Sequence, residues 1–244
     1  MTIRGQHTLG HGLWDYLRGQ LGDMQADGST GPSDHAIGYL RTYLAGTDAV
    51  AGGEWPAIGR RFDHLGTSDD DPNVITATDL VAVSFLSVNV PPRAAWSILT
   101  TRAAALTGAL ERIPTDLAIE DSGCTAEMYQ VGSALQELWN LLRRDEEGNL
   151  WNMGATTVSK VMARKRPALV PIQDSVLMRE LGAADATYWD RWWQAMHLHV
   201  DDRPVVAGFA SQLRGSVAEA TRLGLLRTLD IVIWMHGTYG AKPT

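Results

Sequence analysis

The sequence has one cysteine, Cys124, three phenylalanines and no unbroken apolar run approaching ~20 residues. A lone thiol cannot close an internal disulfide, and without a C-x-x-C pair or a Cys/His cluster no structural zinc pattern exists. The first thirty residues include Arg4, Asp15, Arg18 and Asp23 and lack an apolar export segment. These absences predict a cytoplasmic protein with no membrane partner, no metal and no cofactor. There is no Walker loop, no dinucleotide-binding glycine fingerprint and no nucleophile-elbow serine. Positive charge is also scarce. With 21 Lys and Arg against 28 Asp and Glu, the formal charge is −7, which argues against a surface coated in phosphate-binding side chains but leaves room for a local basic patch.

What the chain does have is 244 residues, 45% of them apolar, enough for one large domain or two small lobes. The apolar residues recur at helical spacing, and no stretch shows the alternation of a half-buried strand. The reading is an all-α, multi-helix bundle. Residues 1–72 are expected to form N-terminal helices and loops, and 73–244 a helical core, with one continuous domain as the alternative. Leu13, Leu17, Leu21 and Met24 mark a first apolar face, and Ile37, Leu40, Tyr43 and Leu44 a second. Gly46, Gly52, Gly53 and Pro56 predict a loop, and Gly66 to Pro72, with Asp69, Asp70 and Asp71, a solvated one. Thr76 and Asp79 read as the capping pair of a helix. An amphipathic stretch from Thr125 to Arg144 aligns Met128, Val131, Leu135, Leu138 and Leu142. Trp189, Trp192, Trp193 and Met196 follow at a spacing that faces a core.

One segment departs from generic helical sequence. Leu150-Trp151-Asn152-Met153-Gly154-Ala155-Thr156-Thr157-Val158-Ser159-Lys160 is followed by Arg164-Lys165-Arg166-Pro167 and then Val170-Pro171-Ile172-Gln173-Asp174-Ser175. It reads as helix, tight hairpin, helix, short extended strap, and an Asp at the mouth of another helix. Gly154 and Asn152 are the residues that tolerate the positive φ of such a hairpin. The N–H groups of residues 154–157 would then face outward at a helix N-terminus and could hold a phosphate.

These residues resemble the helix-hairpin-helix DNA glycosylases, the superfamily of endonuclease III, whose hairpin reads Leu-Pro-Gly-Val-Gly-x-Lys-Thr-Ala and is followed by an essential Asp. Leu150 matches the leading Leu, Met153 the hydrophobic tip, Gly154 the second Gly and Thr157 the Thr. Asp174 stands twenty positions after Gly154, the family's spacing. Trp151 and Asn152 replace the Pro and first Gly, and Val176 stands where a His is common. Thr156 occupies the position of the lysine that some members use as a Schiff-base nucleophile, so the resemblance implies at most a monofunctional enzyme. It places the helix-hairpin-helix at about residues 135–182. Ile75–Val83, Ala163–Pro167 and Leu229–Met235 further resemble an actinobacterial family of uncharacterised proteins.

The resemblance implies that Asn152, Gly154, Thr156, Thr157 and Lys160 bind phosphate, that Arg164, Lys165 and Arg166 contact a DNA backbone, and that Asp174 is catalytic. Residues 143–179 carry seven basic and four acidic side chains, so the rest of the chain holds −10, and binding to such a patch would weaken steeply with salt. The chemistry suits Asp174, because cleaving an N-glycosidic bond develops positive charge on the sugar that a fixed carboxylate stabilises. Asp174 is equally fit to cap the helix that follows, and the basic run to be a solvated helix end. Duplex DNA is therefore the expected partner. The alternatives are a small-molecule enzyme on a glycosylase-like scaffold and a non-enzymatic interaction protein. A Trp- and Tyr-lined pocket around Asp174 would favour the enzymes. His197 and His199, two positions apart, fall on different helix faces, and Cys124 lies before a helix where a lowered thiol pKa is conceivable.

Overall fold

A computed structural model of the chain describes residues 9–45, 58–66, 71–145, 147–183 and 187–240. Gly46, Gly52, Gly53, Pro56, Asp69 and Asp70, read above as loop residues, lie outside them.

The described residues form eleven α-helices and two very short hairpins. Helix α1 (Leu9–Tyr16) runs into a π-helical turn at Leu17–Leu21. A hairpin of β1 (Gly22–Met24) and β2 (Thr30–Pro32) follows, with Asp23 opposite Gly31. Then come α2 (Asp34–Ala45), a 3-10 turn at Arg60–Asp63, α3 (Ala77–Ser84), α4 (Pro92–Leu99) and α5 (Ala103–Glu111). A second 3-10 turn, Ala126–Tyr129, precedes α6 (Ala134–Arg143), α7 (Ala155–Lys165), α8 (Ser175–Glu180) and α9 (Tyr188–Met196). The pair β3 (His199–Val200) and β4 (Arg203–Pro204) leads to α10 (Val205–Gly215) and α11 (Leu225–Tyr239).

Two of these helices are enclosed. In α11 a nearly continuous block from Leu225 to Met235 is buried, against α2, α8 and α10. In α7 every residue from Thr157 to Ala163 is buried, against α3 and α6. A helix buried all round is normally apolar all round. These two instead carry Lys160, Lys165, Arg227 and Asp230 inside, which requires each charge to find a partner. The N-terminal helices close the bundle, α1 on α9 and α2 on α11.

Local chemistry explains most of the boundaries. Thr76 and Asp79 form the expected capping box: the Thr76 hydroxyl accepts the Asp79 N–H at 3.2 Å, and Asp79 Oδ2 accepts the Thr76 N–H at 2.9 Å. Pro91 and Pro92 open α4. Leu13, Leu17 and Leu21 are buried as read, while Met24 has passed into β1 and is 85% exposed. The stretch from Thr125 to Arg144 is not one helix. Gly132, at φ +94°, breaks it, α6 restarts behind a Ser133 cap, and Val131 is left 95% exposed while Leu135, Leu138 and Leu142 stay in the core. In α9, Trp192 and Met196 are buried and Trp189 and Trp193 partly so. No helix among the described residues is long and apolar enough to cross a membrane.

Candidate active site

The hairpin is built differently from its reading. The positive φ falls on Asn152 (+66°), whereas Gly154 sits at φ −70° as the N-cap of α7, and a Cβ there would meet nothing within 4 Å. Met153, matched above to the hydrophobic tip, is buried, as is Trp151. The Trp151 indole donates to the Leu142 carbonyl at 2.8 Å and lies under the Arg102 guanidinium. These two buried side chains anchor a loop whose exposed points are Asn152 and Gly154. Thr157 is buried, while Thr156 points one turn ahead of Lys160 to the wall of a cavity.

The basic run turns inward, which corrects its reading as a DNA-contacting face. Arg164 donates to Asp79 Oδ1 at 3.0 Å and to the carbonyls of Phe62 and Leu65. Lys165 donates to Asp79 Oδ2 and to the Asp71 carbonyl, both at 3.1 Å. Arg166, 2% exposed, holds the carbonyls of Ile113 and Pro72 and the Asn73 amide oxygen. The physical reason is α7's position: enclosed on several sides, it has no solvated face at this end. Lys160 is buried too, and donates to Asp174 Oδ2 at 3.0 Å and to the Leu86 carbonyl at 2.9 Å.

Asp174 does cap α8, its Oδ1 accepting the Val176 N–H at 2.9 Å. With Oδ2 held by Lys160, both oxygens are fixed. The strap before it is pinned from both sides: Ser159 Oγ accepts the Gln173 N–H at 2.9 Å, and Tyr188 donates to the Ile172 carbonyl at 2.7 Å. Asp174 thereby becomes part of the wall of a cavity of 330 Å3, together with Thr156 and Lys160. Phe85, Leu86, Ile172 and Trp234 supply much of the apolar lining. Ser87 also lines it and stands at φ +60°, a conformation uncommon for serine.

The opposite wall comes from α11 and was not foreseen. Asp230 lines the cavity beside Arg227, whose guanidinium contacts Asp230 Oδ2, holds both oxygens of Asp63 at 3.1 Å and donates to the Tyr43 hydroxyl at 2.8 Å. Arg227 also lies against the rings of Phe62 and Tyr43. Burial raises the Asp230 carboxyl from its ordinary 3.8 to about 6, with the Arg227 charge opposing and the Asp174 charge adding to the rise. Burial likewise pushes the Tyr43 hydroxyl up to about 12, so at neutral pH it keeps its hydrogen. Gly59 is required by close approach, because a Cβ there would overlap the Tyr43 hydroxyl. A sign of this wall is present in the sequence: Arg227 and Asp230 are charges three positions apart inside an otherwise apolar run, Leu225 to Met235.

Of the residues read as functional, the structure brings Thr156, Lys160 and Asp174 together and leaves Asn152 and Gly154 on the hairpin. His197 stacks on Trp193 and pairs with the Ile119 carbonyl, while His199 is exposed. The Cys124 thiol is raised by burial rather than lowered. Among the described residues no group of three His, Cys, Asp or Glu could hold a metal ion.

No curated protein and no solved structure matches the chain. The DUF6308 family, described as a family of unknown function, matches residues 36–237, a span that includes both cavity walls from Tyr43 to Trp234; the chain belongs to that family.

Proposed function

We propose that the cavity is the active site of a hydrolase that cleaves the N-glycosidic bond of a small, nucleoside-class substrate, with Asp174 as the carboxylate facing the reacting sugar. The observation that carries this reading is the placement of Asp174 at the wall of a 330 Å3 cavity with both oxygens fixed. Pockets of this size enclose small ligands, and Trp234 and Phe85 offer flat apolar surface to a base. As the bond to the base lengthens, the sugar gains positive charge. A carboxylate already held by Lys160 and the α8 N-terminus stabilises that charge without reorganising. Lys160 is a positioning group here: its ammonium is committed to Asp174 and the Leu86 carbonyl, which does not suit it to act as an amine nucleophile.

A small substrate fits better than duplex DNA because Lys160, Arg164, Lys165 and Arg166 are spent inside the protein. Base release from a panel of free nucleosides, followed chromatographically, tests the reading. Wild type should release base, and Asp174→Asn should slow release by about 100-fold or more while the fold is retained. Equal turnover by the variant would remove Asp174 from the chemistry.

The exposed hairpin keeps a DNA glycosylase as the second reading, because Asn152 and Gly154 are accessible ahead of α7, whose first N–H groups have no intrahelical acceptor. Fluorescence anisotropy with intact and abasic-analogue duplexes separates the two. Tight, salt-sensitive binding to the abasic duplex that Gly154→Val weakens would favour DNA; no binding at low salt would eliminate it.

A further inference from the structure

Among the described residues, the cavity and its rear wall enclose three carboxylates, Asp63, Asp174 and Asp230, but only two cations, Lys160 and Arg227. Lys160 belongs to Asp174 at 3.0 Å. Arg227 is shared, but its Nε faces both oxygens of Asp63 at 3.1 Å, and it also serves the Tyr43 hydroxyl. Asp230 is therefore the surplus acid, 7% exposed and in contact with Arg227 through Oδ2 alone. A buried negative charge in excess of its partners is relieved most directly by binding a proton. With Oδ2 accepting from Arg227, Oδ1 is the atom to carry it.

We propose that Asp230 is the general acid of this site, holding a proton at the cavity wall and giving it to the departing base. This rests on the N-glycoside reading of the Asp174 cavity. The bond from the anomeric carbon to the base nitrogen breaks, its electron pair stays with the base, and the Asp230 proton neutralises that base. Asp174 faces the sugar cation. Water then adds its oxygen to the anomeric carbon and sheds a proton to solvent, from which Asp230 is reprotonated, so the sum is one water consumed per glycoside. The division of labour matches the environments. Asp174 has a cation on one oxygen and a backbone N–H on the other, whereas Asp230 is enclosed in α11 among groups that oppose its charge as well as Arg227, which supports it. The charged and titratable groups facing Asp230 are Arg227 on its own helix, Asp63 on the 3-10 turn, Tyr43 on α2, Lys160 on α7, Asp174 at α8 and Tyr188 on α9.

Two glycosides with different leaving groups test this. Inosine requires its base to be protonated as it leaves, while p-nitrophenyl β-D-ribofuranoside expels a stable anion unaided. Asp230→Asn should lose about 100-fold or more on inosine and keep near wild-type rates on the aryl riboside. Asp174→Asn should lose activity on both. For wild type, kcat/KM on inosine should fall as pH rises through the Asp230 transition, and the aryl riboside should lack that limb. Equal loss on both substrates, or no loss on inosine, overturns the role. Wild type failing to cleave either glycoside would sink the N-glycoside reading, and carboxyl-carbon NMR of aspartate-labelled wild type then judges the proton by itself. Asp230 titrating clearly above ordinary carboxylates upholds the stored proton, and an Asp230 ionised throughout that range overturns it. The NMR measurement needs no variant to fold.

Discussion

Asp79 shows how much can depend on one side chain in this protein. It closes the N-terminus of α3 and at the same time neutralises Arg164 and Lys165, being only 2% exposed itself. Replacing it by Ala would leave two buried cations without their carboxylate. The expected loss is about 3–5 kcal/mol of stability, measured by urea unfolding, against a change within about 0.5 kcal/mol for the exposed Glu219→Gln. Asp230 gives the opposite lesson, since there folding raises the carboxyl's affinity for a proton. Its carboxyl is raised by burial from 3.8 to about 6, so its contribution is fully present below about pH 4 and is lost as pH rises through about 6. Relative to Asp230→Asn, wild type should therefore gain about 2 kcal/mol between about pH 7 and about pH 4. Paired unfolding curves at the two pH values measure the difference. The sequence showed Asp230 and Arg227 as charges in an apolar run, but not their partner Asp63, 164 positions away from Arg227. Periodicity reports which face is apolar and carries no information on which distant residue a buried charge will meet.

At the level of elements, the legible features were those decided by neighbours in the chain. The Thr76–Asp79 cap and the Asp174 cap of α8 both follow from groups within a few positions of one another. The segment before α6 misled because its apolar residues keep helical spacing while Gly132 takes a positive φ. The hairpin was legible as a hairpin but not in detail, because Asn152 and Gly154 are both able to supply the special backbone conformation and only packing chooses. With Trp151 and Met153 buried on either side, Asn152 is the residue forced to φ +66°. Asn152→Gly should be close to neutral, whereas Asn152→Val should cost about 1–2 kcal/mol, read from thermal or urea unfolding. Equal costs for the two would mean that the Asn152 side chain, and not its backbone, holds the loop.

For the molecule as a whole, the all-α reading holds with two small hairpins added, since helical spacing is repeated over most of the chain. The basic run illustrates the limit of composition as a guide to surface. Among the described residues, the side chains of Lys160, Arg164, Lys165, Arg166 and Arg227 are buried, together with acids that only partly balance them. The exterior is consequently at least as acidic as the chain, which repels polyanions at long range. The enclosure of α11 has one more consequence. Segments wrapped on several sides exchange their amide hydrogens with solvent only through the rarest openings, while loops and ends exchange through frequent ones. Part of the cavity lining accordingly sits on a deeply enclosed helix and part on the short turn around Ser87, so a ligand that needs more room should gain it from the Ser87 side, with Asp230 staying where it is.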